Sequence, residues 1–271
     1  MFFNAKNERI EIENTSVDYI SFGKGKKNLI IIPGLGEGLK TMKGMARPFS
    51  IMYKKFAKEY KVYVFSRRNE LPEGFSTEDM ANDLISHMNA LGIDKADIVG
   101  VSQGGMIAEY VAINAPEKVN KLVLVVTVAR CNELMEEAAK DWLEKAYKSD
   151  YKGIMMDIAE RGYTKEYFEK SKGVYEIITS MTKNVKFDRF IVQANACINH
   201  NAYDKLDKIK CPTLIIGAKE DGVLGIVGSE ELAKGIENSE LYIYENYSHG
   251  VYEEAKDFND RVLEYLKNKR D

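Results

Sequence analysis

Apolar positions along the chain fall into two patterns. Short unbroken runs at 28–32, 61–65, 96–101, 121–126 and 211–217, with a further strand-like segment at 241–245, read as strands. Longer segments in which apolar residues recur every three or four positions, at 80–91, 104–113 and 252–267, read as amphipathic helices packed against them. From about residue 130 to 207 the strand pattern stops. That stretch is rich in Glu, Lys, Tyr and Met, and helical spacing is visible at 132–148, 151–161, 164–172, 174–182 and 188–199. The expectation is an α/β protein whose parallel sheet is interrupted by a helical insertion.

Bulk properties narrow the function classes. At 271 residues the chain suits one domain with an insertion and can bury a full core. Its 39 Lys and Arg against 42 Asp and Glu give a net charge of −3, which offers no electrostatic case for nucleic acid. The first residues lack a basic segment followed by an apolar core, and the longest apolar stretch, 122–129, is too short to span a bilayer. Cys131, Cys197 and Cys211 are sparse and form no C-x-x-C, which fits a reduced cytoplasm, with Cys211 read as a buried strand residue.

Candidate chemistry centres on Gly100-Val101-Ser102-Gln103-Gly104, a G-x-S-x-G between a strand-like and a helix-like segment. A strand–turn–helix corner of this kind raises a serine hydroxyl above the sheet edge, and its glycines permit the tight turn. The bare pattern occurs by chance in about one chain in ten of this length, and a serine there can simply cap the helix. A nucleophilic serine needs a histidine to take its proton and a carboxylate to orient that histidine. Of the three histidines, His87 falls on a helix flank and His200, in Asn199-His200-Asn201, reads as a cap or an exposed residue. His249 lies in a loop beyond a late strand, where open α/β sheets carry reactive groups. Asp221, in the loop after the 211–217 strand, is the preferred carboxylate; Glu220 and Glu133 are rivals, and Asp221 could instead make only an Asx-turn. For an oxyanion, the backbone N–H groups of Leu35 and Gln103 are the candidates, Leu35 lying in Pro33-Gly34-Leu35-Gly36-Glu37-Gly38. That loop lacks the G-K-[ST] of a phosphate loop and the G-x-G-x-x-G spacing.

Ser102, Asp221 and His249, in that order and each after a strand, resemble the α/β-hydrolase fold superfamily, nearest to its small esterase-like branch with a helical lid. The resemblance extends over an early strand pair at 9–13 and 16–22, the glycine-rich loop, the elbow at 100–104 and the closing His249-Gly250 before a helix. It implies a mostly parallel central sheet flanked by helices, with 1–129 and 208–271 as the core and 130–207 as the lid. It also implies Ser102 as nucleophile, His249 as base and Asp221 as the group that orients it. The lid would cover the edge bearing Ser102 and wall an acyl pocket, with Met155, Met156, Tyr163 and Met181 able to face substrate. The resulting expectation is a cytoplasmic serine esterase acting on a small acyl or ester compound through an acyl-enzyme. It needs no metal or organic cofactor and engages neither nucleic acid nor membrane. The same three residues also serve C–C bond hydrolases, lactonases, perhydrolases and acyltransferases, and a hydrolase-like receptor is a non-enzymatic alternative.

Two departures from the family pattern stand out. Pro33-Gly34 replaces a frequent His-Gly, and Ser66-Arg67-Arg68-Asn69-Glu70 replaces the usual D-x-R-G-x-G-S. Arg67 and Arg68 are expected to be solvated surface residues held in ion pairs, with attraction of an anionic substrate as the alternative.

Overall fold

A computed structural model describes residues 3–12 and 15–268. Its eight strands are β1 (Lys6–Ile12), β2 (Thr15–Phe22), β3 (Lys27–Ile32), β4 (Tyr60–Phe65), β5 (Ala96–Val101), β6 (Val119–Val125), β7 (Thr213–Ala218) and β8 (Ser239–Tyr244). They form one sheet in the order β1-β2-β4-β3-β5-β6-β7-β8. Pairings β1–β2 and β2–β4 are antiparallel and the remainder parallel. The expected end of the first strand, Glu13, lies outside the described residues.

The central strands carry apolar residues on both faces because helices cover both. Every residue of β5 and β7 is buried. On one face, α2 (Thr77–Ala90), α3 (Gln103–Asn114) and α8 (Val227–Gly235) enclose Ile30, Ile98, Leu122 and Ile215. On the other, α1 (Ala46–Met52), α9 (Val251–Glu254) and α10 (Phe258–Lys267) enclose Ile31, Val99, Val123 and Ile216. The alternation of neighbouring residues between these two cores is the strand period of two expressed in packing. Local signals fix helix starts: Ser76 and Asp79 form a reciprocal capping box at α2, so two otherwise unpaired N–H groups are satisfied.

Between β6 and β7 the chain forms α4 (Glu133–Tyr147), α5 (Tyr151–Gly162), α6 (Lys165–Met181) and α7 (Asp188–Ile198). The two helices expected at 164–172 and 174–182 are one, α6, which runs through the exposed Gly173; a single glycine weakens a helix by only about 1 kcal/mol and does not end it. Of these, α4, α5 and α7 share a third apolar cluster, Trp142, Leu143, Ile154, Phe190 and Ala194, with Leu35 of the loop after β3 and Met106 of α3. They therefore pack over the sheet edge where β3 and β5 end. Cys211 is only partly buried and precedes β7, because Pro212 delays the strand to Thr213. Among the described residues, no helix is long and apolar enough to cross a membrane.

Candidate active site

The turn from β5 into α3 holds Ser102 at φ 53° and ψ −123°, a backbone conformation that side chains other than glycine rarely adopt. The turn is this tight because its glycines allow backbone contact: a Cβ at Gly104 would overlap the Ile32 carbonyl, and one at Gly100 the Gly104 carbonyl. Ser102 N–H donates to Val125 O at 2.9 Å, and Thr127 Oγ1 donates to Ser102 O at 2.9 Å, which pins the turn to the end of β6. The Ser102 side chain makes no capping hydrogen bond to α3. The helix-cap reading of this serine therefore fails.

His249 and Asp221 are brought together from loops that follow adjacent strands. His249 Nδ1 lies 2.8 Å from Asp221 Oδ2, and the Asp221 side chain is 2 % exposed. Asp221 Oδ1 accepts from the backbone N–H groups of Val223 and Leu224, each at 2.8 Å. The turn role and the imidazole contact thus use different oxygens of one carboxylate, and the first fixes the direction of the second. Glu220, beside it, is exposed; Glu133 starts α4 and is exposed as well.

Ser102 and His249 line a common cavity of about 430 Å³. Leu35 and Gly34 of the loop after β3 also line it, with Trp142, Met155 and Ile158 from α4 and α5, and Tyr163, Tyr175, Tyr252 and Glu253. Of the four residues expected to face substrate, Met155 and Tyr163 line the cavity; Met156 does not, and Met181 is 75 % exposed. The Gln103 side chain points away from the hydroxyl and ties the base of α3 to α7, donating to Gln193 O at 2.8 Å and to Cys197 Sγ at 3.2 Å. Burial pushes the Cys197 thiol up to about 12, so it remains protonated.

Two basic residues differ from expectation. Arg67 is not a solvated surface residue: it is buried beneath the loop after β3, donates to Pro33 O at 2.5 Å and Gln103 Oε1 at 3.0 Å, and approaches Glu37 Oε2 at 4.0 Å. Burial lowers its pKa to about 10, opposed by Glu37, and it stays charged at neutral pH. Arg68 is ion-paired as expected, to Asp83. Likewise His200 is neither a cap nor exposed. Its ring is buried, with Nδ1 2.9 Å from Thr77 Oγ1 and Nε2 3.3 Å from Glu109 Oε2, and burial raises the Glu109 pKa. His87 is buried on Phe65, ring centroids 5.8 Å apart.

Neither Glu37 nor Arg189 stands out in the sequence pattern. Glu37 is fully buried, accepting from Arg189 Nη2 at 2.7 Å and Gln193 Nε2 at 3.1 Å. Arg189 also donates to the carbonyl oxygens of Glu37, Arg67 and Arg68, each at 3.2 Å. An acidic residue inside a glycine-rich loop was the available signal for this clamp. Among the described residues, no group of three or more His, Cys, Asp or Glu is arranged to hold a metal ion.

A family model described as the alpha/beta hydrolase fold matches residues 27–153. The chain is 23% identical over 269 residues to 3-oxoadipate enol-lactonase 2 of Acinetobacter baylyi, covering 96% of each. It is 24% identical over 274 residues to a 2-hydroxy-6-oxononadienedioate/2-hydroxy-6-oxononatrienedioate hydrolase of Pseudomonas putida, covering 92% of this chain and 91% of that one. A crystal structure of an α/β-hydrolase enzyme from a Medee basin deep-sea metagenome library superposes with a TM-score of 0.85 at 21% identity, covering 97% of this chain and 98% of the other.

Proposed function

We propose that this chain, a member of the α/β-hydrolase fold superfamily, is a serine hydrolase that cleaves a carboxylic ester or a related acyl compound. The observation that carries this reading is the pairing of His249 with Asp221 in a loop that shares one cavity with Ser102 on its strained turn. Residues 130–207 act in this reading as a cap, supplying the apolar walls and limiting water.

In the proposed mechanism, His249 donates Nδ1–H to Asp221, which leaves the lone pair of Nε2 to accept a proton. That proton comes from the Ser102 hydroxyl as Oγ bonds to the substrate carbonyl carbon. The carbonyl oxygen becomes an oxyanion, stabilised by the N–H groups of Leu35 and Gln103 and by the positive end of α3. One such donor is worth about 3 kcal/mol in the transition state. The carbon–oxygen bond to the leaving group then breaks, and the departing alkoxide takes the proton from His249. Water, deprotonated by His249, attacks the acyl-enzyme, and the acid leaves as Ser102 regains its proton.

Opening of a lactone is a second reading, supported by the near full-length match to an enol-lactonase; a cyclic ester undergoes the same steps with the leaving hydroxyl still tethered to the acyl group. The dioate substrates named for other relatives do not carry over readily, because Glu253 contributes a carboxylate to this cavity.

The test is a panel of p-nitrophenyl esters and lactones of increasing acyl length, assayed with the wild type and Ser102→Ala, together with mass spectrometry of the protein during turnover. Turnover by the wild type, its loss in Ser102→Ala and an acyl adduct on Ser102 are expected. Equal activity in Ser102→Ala overturns the assignment.

A further inference from the structure

The cavity around Ser102 and His249 is largely apolar but carries charged side chains as well. Glu253, on α9 and four residues beyond His249, accepts a hydrogen bond at Oε2 from the Tyr163 hydroxyl at 2.6 Å. The Tyr163 hydroxyl in turn accepts from Tyr175 at 3.1 Å. All three residues line the cavity. The backbone enforces this meeting: Gly250 N–H donates to Gly162 O at 2.6 Å, which fastens the turn carrying His249 to the junction of α5 and α6.

Charge within the cavity is unevenly compensated. Glu37 also lines it, but its carboxylate is neutralised by Arg189, at 2.7 Å, and by nearby Arg67. No arginine lines the cavity among the described residues; one lysine does, Lys40, which is exposed and lies on the loop after β3 near Glu37. Glu253 Oε1 takes no hydrogen bond from the described residues, so one carboxylate oxygen remains available. Surrounding protein raises the Glu253 pKa through burial, an effect that the Tyr163 hydrogen bond opposes. An unoccupied carboxylate oxygen lining a mostly apolar cavity favours a ligand that brings its own donor, and a second carboxylate there meets like-charge repulsion.

Building on the hydrolase reading, we propose that Glu253 is a specificity-determining residue: with Tyr163 and Tyr175 it receives an ammonium or hydroxyl group of the substrate and discriminates against substrates that present a carboxylate at that end of the cavity. The favoured substrate class is therefore an acyl compound whose non-reacting end is cationic or hydroxylated.

Trp142 is the chain's single tryptophan and lines the same cavity, so its fluorescence reports occupancy without turnover. The ligands are n-octylammonium, 1-octanol and octanoate, titrated into Ser102→Ala protein at neutral pH. The expected result is n-octylammonium binding at least about tenfold more tightly than octanoate. Adding Glu253→Gln, or Glu253→Met if the first does not fold, should bring that ratio to within about twofold, with octanol binding weakened far less than n-octylammonium binding. Equal or inverted affinities in the parent, a ratio untouched by neutralising Glu253, or no saturable response to n-octylammonium overturns the proposal. Because this readout needs no chemistry, it fails separately from the hydrolase reading. An ester panel without turnover would remove the reaction and leave a measured ammonium preference standing.

Discussion

Arg189 on α7 donates to the buried carboxylate of Glu37, 2.7 Å away, and so joins the helices between β6 and β7 to the glycine-rich loop after β3. Leu35, whose N–H is proposed to face the oxyanion, is two residues before Glu37 in that loop. Removing one partner of a buried pair leaves a charge without compensation and typically costs about 3–5 kcal/mol. Arg189→Ala is expected to lower stability by about 3 kcal/mol, since Gln193 still serves Glu37. Urea unfolding of the single variant and of Arg189→Ala with Glu37→Gln measures this; the second change should recover part of the loss.

Asp221 offers a sharp choice between rival acids. Asp221→Asn keeps an oxygen for the Val223 and Leu224 N–H groups but no longer fixes the imidazole tautomer. Its kcat should fall by about three to four orders of magnitude with the melting temperature little changed. Glu220→Gln, at an exposed site, should stay within about twofold of wild type. The reverse pattern in steady-state kinetics would reassign the carboxylate.

Ser102 combines a positive φ with a side chain, which stores strain where the chemistry is proposed. Glycine adopts this conformation freely, whereas alanine does not. Both Ser102→Gly and Ser102→Ala should abolish turnover, but the glycine variant should be the more stable by about 1 kcal/mol. Denaturant midpoints of the two inactive proteins compare them without interference from activity.

His87 should make the fold acid-sensitive. Burial lowers its pKa from 6.5 to about 4, with Asp83 opposing and Arg68 reinforcing the shift, and its Nδ1 has no hydrogen-bond partner. Between those two values the unfolded chain binds more protons than the native one, so stability falls as pH drops from about 6.5 towards 4. Between pH 7 and pH 5 the wild type should lose about 2 kcal/mol more than His87→Leu. Urea titrations of both proteins at the two pH values measure the difference.

Much of the architecture was legible from local pattern. β5 was anticipated at its observed ends, and α3 to within one residue at each, because a buried parallel strand writes an unbroken apolar run and a tight turn demands glycine. Segments such as Lys165–Met181 were harder, since a glycine that ends one helix passes through another, and packing decides which occurs. Arg67, His200 and Glu253 were beyond local reading. A charged or polar residue announces its chemistry but not its surroundings, and each of these three owes its environment to groups distant in the chain: Pro33 and Gln103, Thr77 and Glu109, Tyr163 and Tyr175.

The sequence by itself determined the order of strands and helices, the sharp corner at Ser102 and the residues able to accompany it. Those features depend on backbone sterics and on the periodicity of apolar side chains, both short-range. Only the tertiary structure decided that Asp221 meets His249 with one oxygen while the other holds its own turn, that Glu37 lies under Arg189, and that a carboxylate faces the cavity beside the tyrosines. Burial and electrostatic partnership depend on which segments close over a residue, and that is settled by contacts between parts of the chain far apart in sequence.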